Sequence, residues 1–447
     1  MNELFPLWAP WEVRSLSDLC SGADASIQTG PFGSQLHASD YVEVGTPCVM
    51  PQDIKGGRIS TESIARISEE DLLRLCRFQL RRGDIVYPRR GDISKRALVG
   101  ERETGWLCGT GCLRIRSNAS AVDPAFLANY LSHPEVCAWI EGNAVGATMP
   151  HLNTGLAAAI PVVCPPIEEQ REIAAILGAL DDKIELNRKK AATLEEMARA
   201  LYRSWFVDFD PVHAKAAGRT PAHMDATTAA LFPDNFGEDG LPEGWSAEPF
   251  IDQALWVNGA AYKNMHFSTD ADALPVIKIA ELKAGVTANT KFTATDLGDR
   301  YRISRGELLF SWSGNPDTSI DAFVWPLGDA WLNQHIFAVR DNGRMSRAAL
   351  FCALRYFKPE MAEIARNKQT IGLGHITRKD LEAFPVSVPP ETVETAFETQ
   401  VAPLFDRYCA CLYENQTLAT LRDTLLPRLM SGELRVGEAK EQVVAVA

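Results

Sequence analysis

The sequence of 447 residues lacks any run of about 18 apolar residues, the length that a membrane-spanning helix requires. Residues 1–6 contain neither the basic segment nor the apolar segment of a secretory signal. We therefore expect a cytoplasmic protein with no membrane partner. Positive charge is also scarce, since 45 Lys and Arg stand against 58 Asp and Glu. The net charge of −13 argues against a protein that coats nucleic acid without regard to sequence.

Motifs for metal binding and catalysis are missing as well. The ten cysteines include two close pairs, at 108/112 and 409/411. Neither pair has a second pair or a histidine at zinc spacing. We expect reduced, packed thiols, no metal and no cofactor. No phosphate-binding Gly-rich loop is present. The sequences DPV at 210–212 and NPD at 315–317 do not fit the Asn/Asp-Pro-Pro-aromatic loop of an adenine methyltransferase. The chain is predicted not to be an enzyme.

What the sequence does contain is a long internal repeat. The tetrapeptide HLNT at 151–154 corresponds to HITR at 375–378, and the Pro-Pro at 165–166 returns at 389–390, with a constant offset of 224 (375 − 151 = 224). Upstream, GDIVY at 83–87 corresponds to GELLF at 306–310 with an offset of 223 (306 − 83 = 223). The residues between these matches differ widely. Because the motifs recur in the same order and spacing while the residues between them differ, the repeat indicates two domains of one type that recognise two different targets.

Each Pro-Pro is followed by a heptad pattern that predicts a long helix, over 166–208 and over 391–434. Apolar residues step by four and three, as in a coiled-coil seam. The seam of the first helix is Ile173, Leu177, Leu180, Ile184, Asn187, Ala191, Leu194, Ala198, Leu201 and Trp205. That of the second is Phe397, Val401, Leu404, Tyr408, Cys411, Asn415, Leu418, Arg422, Leu425 and Leu429. An amide stands in each seam, where such a group typically fixes the register.

The simplest arrangement pairs the two helices with each other in antiparallel orientation, which would place the two repeats at opposite ends of a rod. A seam of about 35 residues spans roughly 50 Å. One turn of B-DNA is about 34–36 Å long, so such a rod could hold two readers one to two turns apart. The alternative is a dimer-forming coiled coil with no spacing role, and the seam alone does not decide between them.

The predicted fold class is α+β, with two mixed α/β domains separated by two long antiparallel coiled-coil helices in a pseudo-twofold internal repeat. Short β-branched runs between Gly- and Pro-bearing turns are typical of strands. The domains are predicted at 1–165 and 241–390. Residues 209–240, rich in Ala, Gly, Pro and Asp, are predicted to be a linker with little core, and residues 435–447 a C-terminal tail.

Basic residues are concentrated in one stretch in spite of the acidic net charge. As individual residues they are most simply solvated side chains with ordinary salt bridges. As a cluster beside Tyr87 and Gly91 they are candidates for phosphate contact. The residues are Arg74, Arg77, Arg81, Arg82, Arg89, Arg90, Lys95 and Arg96.

Several of these motifs resemble those of type I restriction-modification specificity subunits. The helix that this family shares is similar to PPIEEQREIA at 165–174, LDDKIELN at 180–187, LEEMA at 194–198 and SWFVDF at 204–209. The family's second helix is similar to LRDTLLPRLMSGEL at 421–434, and its recognition loops to PFGS at 31–34 and GATMPHLN at 146–153. Two departures stand out: the second helix begins PPETVE at 389–394, and the second module offers GAAYK at 259–263 in place of PFGS.

The resemblance implies a non-catalytic subunit with two target-recognition domains, each of which reads one half of a split double-stranded DNA sequence. The paired helices would set the gap between the halves and dock two methyltransferase subunits, and restriction-translocase subunits would join that core. The expected DNA contacts are Gly33, Ser34, Gln35, Arg89, Arg90, Lys95, Arg96, Thr148, His151, Asn153, Tyr262, Lys263, Ser313, Asn315, His375, Thr377 and Arg378. The expected methyltransferase contacts are Ile176, Leu186, Met197, Trp205 and Phe206.

Two alternatives remain at this point. His151, His375 and the polar residues near them suit hydrogen bonds to bases or phosphates, but a structural role in turns is equally consistent with their positions. The chain as a whole could also be a coiled-coil scaffold whose two modules bind peptides or proteins. Neighbouring genes for a methyltransferase and a translocase would favour the specificity subunit.

Overall fold

The computed structural model describes residues 4–22, 24–144, 151–369 and 372–446. The chain divides into two compact units, one formed by residues 1–183 with 417–447 and the other by residues 184–416. Each unit therefore contains one of the two repeats and a part of each long helix. Among the described residues, no helix is both long and apolar enough to cross a membrane.

The first unit contains two four-stranded sheets, ordered β2-β11-β8-β9 and β10-β4-β7-β3, and the two-stranded pairs β1-β12 and β5-β6. Its strands are β1 (Glu12–Ser15), β2 (Ser26–Thr29), β3 (Tyr41–Val42), β4 (Thr46–Val49), β5 (Ile54–Lys55), β6 (Arg58–Ile59), β7 (Ala65–Ile67), β8 (Ile85–Pro88), β9 (Ala97–Leu98), β10 (Leu107–Cys108), β11 (Cys112–Arg116) and β12 (Pro161–Cys164). Its helices before the first long helix are α1 (Leu16–Leu19), α2 (Glu69–Arg74), α3 (Pro124–Tyr130), α4 (Pro134–Asn143) and α5 (Thr154–Ala158).

The second unit has the same kind of architecture, with sheets ordered β14-β22-β18-β20 and β16-β15-β21-β17 and the pairs β13-β24 and β19-β23. Its strands are β13 (Ser246–Pro249), β14 (Leu255–Asn258), β15 (Leu274–Ile277), β16 (Phe292–Thr293), β17 (Arg302–Ile303), β18 (Leu308–Ser311), β19 (Ser313–Gly314), β20 (Asp321–Val324), β21 (Ala330–Leu332), β22 (Ile336–Arg340), β23 (Gly374–His375) and β24 (Pro385–Val388). Its shorter helices are α7 (Asp210–Ala216), α8 (Ala226–Ala230), α9 (Ile279–Ala284), α10 (Arg347–Tyr356), α11 (Lys358–Asn367) and α12 (Arg378–Ala383).

The repeated sequence blocks correspond to repeated strands. The central strands β8 and β18 are buried at every position, as expected for apolar runs covered on both faces. Each follows a tight turn at a glycine, Gly83 with φ +88° and Gly306 with φ +90°, a backbone conformation that other residues rarely adopt. β4 pairs in parallel with β10, as β15 does with β21. The predicted α+β fold with an internal repeat is confirmed.

An acidic residue follows each of these turns and forms an ion pair with the last residue of the neighbouring strand. Asp84 binds Arg116 at 2.6 Å in the first unit, and Glu307 binds Arg340 in the second. The first pair is almost fully buried, with 1% of the Asp84 side chain exposed, whereas 15% of Glu307 is exposed. The repeated Gly-acid and strand-end Arg positions in the sequence are therefore one structural element.

The two heptad patterns form α6 (Ile167–Phe206) and α13 (Glu391–Ser431). In the second unit the Nδ2 of Asn187 donates to Glu414 at 2.9 Å, and further along α6 Trp205 packs on Phe397 with ring centres 5.5 Å apart. From Asn187 to Trp205 the residue numbers rise along α6, whereas those of their partners on α13 fall from 414 to 397. The two helices are therefore antiparallel, as predicted. The seam residue Asn187 is 3% exposed, and its partner is a glutamate that the heptad pattern did not place in the seam.

The expectation that residues 209–240 are a linker with little core is wrong. Val212, at the start of α7, and Phe232, after α8, are buried in the core of the second unit. Phe232 packs against Trp205 with ring centres 5.0 Å apart. The Ala/Gly/Pro-rich composition hid these few large apolar residues, which are sufficient to fix the segment. The predicted C-terminal tail also contains a helix, α14 (Val436–Val446), with Ala439 fully buried.

Candidate nucleic-acid interface

The two modules share a short backbone arrangement just beyond the central strand. In the first, the Leu152 N–H donates to the Arg89 carbonyl at 2.9 Å, and in the second the Ile376 N–H donates to the Trp312 carbonyl at 2.8 Å. Leu152 and Ile376 correspond in the repeat (376 − 152 = 224). Arg89 and Trp312 therefore occupy equivalent positions, in agreement with the offset of 223 found upstream (312 − 89 = 223).

Arg89 lies at the centre of the first cluster. Its Nη2 is 3.2 Å from Nε2 of His151, and its guanidinium lies 6.0 Å from the ring centre of the exposed Phe32. Burial, and then the charges of Arg89 and Arg90, lower the pKa of His151. The imidazole is therefore neutral near pH 7, and Nε2 can accept a hydrogen bond. Phe32, Arg89 and His151 are called the arginine cluster below.

Trp312 lies at the centre of the equivalent cluster. Its Nε1 donates to Asn258 Oδ1 at 2.9 Å, and its ring packs 5.5 Å from His335 and 5.9 Å from His375. The Oγ of Ser313 and the Nδ1 of His375 are 2.9 Å apart. Burial, and then the charge of His375, lower the pKa of His335. These five residues, called the tryptophan cluster below, offer ring faces together with indole, amide and hydroxyl groups where the first module offers a guanidinium.

A close approach between two backbone segments precedes a loop in both modules. A Cβ at Gly30 would lie 2.0 Å from the Gly109 carbonyl oxygen, and a Cβ at Gly259 would lie 2.2 Å from the Asn333 carbonyl oxygen. Neither oxygen can move without breaking the strand contact, so only glycine fits. GAAYK at 259–263 is therefore the second module's counterpart of the loop that begins at Gly30.

The loop residues predicted to bind DNA differ in exposure. Gly33 and Ser34 are exposed, whereas the Oε1 of half-buried Gln35 accepts a hydrogen bond from the backbone of its own loop at 3.1 Å. Lys263 is exposed as well. Tyr262 is buried, with 7% of its surface exposed, and it packs in an apolar cluster of the second module. This position corrects the expectation for Tyr262, which is a core residue.

The predicted phosphate contacts also differ in whether their side chains are free to bind DNA. Arg96 is a structural residue, because its Nε donates to the Ala128 carbonyl at 2.6 Å and burial lowers its pKa. Lys95 is exposed and forms an ion pair with Asp92 at 3.2 Å. Arg90 is exposed and has no carboxylate within ion-pair distance in the described part of the chain. Of the four predicted here, Arg89 and Arg90 are the two whose side chains are neither paired with a carboxylate nor bound to a backbone carbonyl within the described residues.

Most of the other basic residues in this stretch form ordinary salt bridges. They are about half exposed or more, and each contacts a carboxylate of its own module. The pairs are Arg74 with Asp71 at 2.5 Å, Arg81 with Asp24 at 3.2 Å and Arg82 with Glu101 at 3.7 Å. For these residues the simpler interpretation is correct.

Three predicted polar contacts are turn and cap residues. Asn153 caps α5, since its Oδ1 accepts from the Leu156 N–H at 2.8 Å. Thr377 is bound through its N–H and its Oγ1 to Asp380, at 2.7 and 2.6 Å. Asn315 Oδ1 accepts from two backbone N–H groups that follow it, at 3.0 and 3.1 Å. The structural alternative applies to all three.

The last two predicted contacts are Arg378 and Thr148. Arg378 is exposed, and its Nη1 donates to the Trp256 carbonyl at 3.3 Å. Thr148 lies outside the described residues. The sequence did not indicate Trp312, Asn258 or His335 as site residues. Extending the offset of 223 from the central strands nevertheless aligns Trp312 with Arg89 (312 − 89 = 223).

The apolar residues expected on the flanks of the first long helix also divide. Leu186 and Met197 are 60% and 50% exposed. They are eleven residues apart and so lie on one face of the helix, roughly 16 Å apart along its axis. Ile176, Trp205 and Phe206 are buried, at 7%, 5% and 6% exposed, so the prediction that they form a partner surface is wrong. Trp205 and Phe206 are buried because both rings pack against Phe397, with ring centres 5.5 and 4.6 Å apart.

In the described residues no group of three or more His, Cys, Asp or Glu side chains could hold a metal ion. Cys48, Cys108 and Cys112 are buried free thiols of the first module. Burial raises the pKa of Cys48 and of Cys108 to about 12, so both are unreactive thiols at neutral pH. The prediction of packed thiols is confirmed for these residues.

Comparison with known proteins agrees with this geometry. Residues 9–196 match the sequence model of the type I restriction modification DNA specificity domain. Residues 9–196 thus belong to this family of specificity domains. The resemblance found in the sequence is confirmed.

Similar proteins extend the match beyond this specificity domain. The chain is 25% identical over 412 residues to the type I restriction enzyme HindI specificity subunit of Haemophilus influenzae, covering 82% of this chain and 89% of that one. It is 25% identical over 299 residues to the MjaIX specificity subunit of Methanocaldococcus jannaschii, covering 66% and 65%. A crystal structure of a type I restriction-modification S subunit from M. genitalium has the same fold, with a TM-score of 0.52, 16% identity and coverage of 96% and 99%.

Proposed function

We propose that this chain is the DNA-specificity subunit of a type I restriction-modification complex and that it recognises a bipartite double-stranded DNA target. The observation that carries the proposal is the pair of equivalent clusters. Arg89 and Trp312 stand at the same place in one backbone frame and are held by the same backbone hydrogen bond. Two modules that share a backbone arrangement but present different side chains suit a DNA target whose two halves differ in sequence.

In this proposal residues 1–165 and 241–390 are the target-recognition domains, and the helices at 166–208 and 391–434 set the gap between the half-sites. Methyltransferase and restriction-translocase activities belong to partner subunits, and this chain is not catalytic. The relatives' names as specificity subunits support this assignment. The exposed Leu186 and Met197 are the proposed docking residues for two methyltransferase subunits.

The proposed DNA contacts are those predicted residues that the fold leaves available, together with the tryptophan cluster. Loops of both modules would enter the major groove, where each base pair presents a distinct pattern of donors and acceptors. The contacts in the first module are Gly33, Ser34, Gln35, Arg89, Arg90 and His151, and those in the second are Lys263, Trp312, His375 and Arg378. Ser313, which was also predicted, is 5% exposed and is hydrogen-bonded to His375, so it orients that imidazole and is not a DNA contact.

The experiment is to co-express the chain with its adenine methyltransferase in a host free of adenine methylation and to sequence the methylated sites. We expect one split motif with two constant halves and a gap of fixed length. Trp312→Ala should relax the base preference in one half of the motif only, because the first module and its arginine cluster are unchanged. Arg74→Ala, which removes a side chain already paired with Asp71, serves as the matched control and should leave the motif unchanged.

A scaffold that binds peptides or proteins would give the opposite result. It would yield methylation without a split motif or no methylation at all, and the purified complex would bind the mapped duplex no better than a scrambled one. Either outcome would overturn the proposed function. A motif that changes in both halves with Trp312→Ala would contradict the assignment of one half-site to each module.

A further inference from the structure

We infer that Arg89 reads a guanine in one half of the DNA target and that Phe32 and His151 position its guanidinium for that contact. The inference rests on the proposed function. A guanidinium presents its N–H groups as a planar fork, which matches the O6 and N7 acceptors of guanine in the major groove. The chemistry of the arginine cluster selects this base over the others.

The backbone of Arg89 is held on both sides. Its N–H donates to the Gly111 carbonyl at 2.7 Å, and its own carbonyl accepts from the Leu152 N–H at 2.9 Å. It directly follows β8, a strand that is buried at every position. A side chain that extends from such a rigid element has a fixed starting point, which a base contact with defined geometry requires.

The side chain of Arg89 is oriented without being neutralised. It forms one hydrogen bond, to the neutral His151, and the Phe32 ring lies beside it. Its Nε is buried with no hydrogen-bond partner among the described residues. A guanidinium carries five N–H donors, four of them on the two Nη nitrogens, so three Nη donors remain for a ligand beside the contact to His151.

A second arginine in the same module shows what a purely structural guanidinium looks like here. Arg114 is 4% exposed and donates to four oxygen acceptors of the module at 2.7 to 3.2 Å. Its two Nη nitrogens make all four of these hydrogen bonds, and at 4% exposure it has no route to DNA. Arg89 differs from Arg114 in both respects, since it is half-buried and its Nη1 makes no hydrogen bond within the described residues, its one contact being from Nη2 to His151.

Arg90 provides the matched control. It is the next residue in the chain, it is exposed, and it lacks a carboxylate partner in the described residues, so it suits a phosphate rather than a base. A phosphate contact adds affinity for every sequence alike, whereas a base contact adds affinity for one base. The second module has Trp312 at the position of Arg89, so the guanine contact should be confined to one half-site.

The test uses the complex of the chain with its methyltransferase and synthetic duplexes that carry the mapped target. Each guanine is replaced in turn by 7-deazaguanine, which lacks the N7 acceptor but still pairs with cytosine. We expect one guanine, in one half-site, at which the replacement weakens wild-type binding on the order of ten- to hundredfold. Arg89→Ala should bind the normal target more weakly and be indifferent to that replacement.

Two further variants separate the roles. Arg89→Lys keeps the charge but loses the fork, so it should lose the preference for that guanine while retaining part of the affinity. Arg90→Ala should weaken all duplexes equally and reduce the slope of log affinity against log salt by about one. It should keep the sensitivity to 7-deazaguanine.

The outcomes distinguish this inference from the proposed function. If no replacement weakens wild-type binding more than a few-fold, or if Arg89→Ala keeps the same sensitivity, Arg89 does not read a guanine, although the chain remains a specificity subunit. If the wild-type complex fails to prefer its mapped target over a scrambled duplex, the proposed function fails instead. The wild-type measurement shows whether a guanine is contacted at N7, and the Arg89 variants assign that contact to Arg89. Arg89→Lys keeps the charge and most of the side chain, so it provides the assignment if Arg89→Ala does not fold.

Discussion

In the first module the position after the central strand carries an arginine, and in the second module the equivalent position carries a tryptophan. The groups around them differ as well: a phenyl ring and one histidine contact Arg89, whereas an amide and two histidines surround Trp312. The turn glycines and strand-end ion pairs behind these clusters are the same. The difference teaches that the fold fixes the position of this side chain, a DNA contact in the proposed function, and leaves its chemistry free to change.

The largest expected effect concerns the strand-end ion pair, of which each module has its own copy. Asp84→Ala would leave Arg116 unpaired in a nearly dry environment and should lower the free energy of unfolding by about 3–5 kcal/mol. Glu307→Ala should cost about 1–2 kcal/mol, because Arg340 is 30% exposed and water can replace its partner. Denaturant unfolding of the two variants measures both values. Equal losses would show that the pairs contribute alike in spite of their different burial.

The next effect is a pH dependence confined to the first module. His133 is buried against Phe5 and accepts a hydrogen bond from the Glu135 N–H at 3.2 Å, and burial lowers its pKa from 6.5 to about 4. As the pH falls from 6.5 to 4, the unfolded chain takes up a proton that the folded chain does not. The free energy of unfolding should therefore decrease by about 3 kcal/mol across that window.

Comparison with the second module sharpens this prediction. The equivalent position is Phe357, which cannot be protonated (357 − 133 = 224). His133→Gln keeps a hydrogen-bond acceptor but cannot titrate, so the difference between wild type and this variant should isolate the contribution of His133. Denaturant unfolding at several pH values provides the measurement. A difference that stays constant from pH 7 to pH 4 would show that the imidazole is not kept neutral by burial.

The smallest effect should be the same in the two modules. Gly30→Ala and Gly259→Ala would each force a Cβ against a backbone carbonyl and should cost about 1–3 kcal/mol. Gly33→Ala and Gly328→Ala are matched controls, since a Cβ there meets open space and neither residue has a positive φ; both should change stability by less than about 0.5 kcal/mol. Thermal unfolding compares the four. A neutral Gly259→Ala would indicate that the second loop is not the counterpart of the first.

The long helices could be predicted from the sequence because the heptad pattern is local. Seam positions such as Leu177 and Phe397 are fully buried, and the Pro-Pro before each helix marks its start. The duplicated frame was equally visible, since the Gly-acid turn at Gly83 recurs at Gly306 with its positive φ. In both cases the physical constraint acts on residues that are close together in the chain.

The candidate site was predicted less completely, because burial is decided by residues distant in the sequence. Arg96 and Tyr262 have the composition of surface contacts, yet one donates to a backbone carbonyl and the other lies in an apolar core. Phe232 is a single aromatic residue in an Ala/Gly/Pro-rich stretch, and only the aromatic residues that surround it make it core. Trp312 was overlooked because tryptophan is more often a packing residue than a recognition residue.

The strands that open and close each module have a consequence of their own. β1 runs antiparallel to β12, with Glu12 opposite Cys164 and Ser15 opposite Pro161, and β13 pairs in the same way with β24. Neighbouring strands lie about 4.8 Å apart, so the chain enters and leaves each module at almost the same point. A segment bounded in this way is a cassette. If each module is a target-recognition domain, as proposed, recombination at the two ends of the cassette would exchange its whole DNA-contacting surface. New DNA specificities would then arise by transfer of intact modules as well as by point mutation.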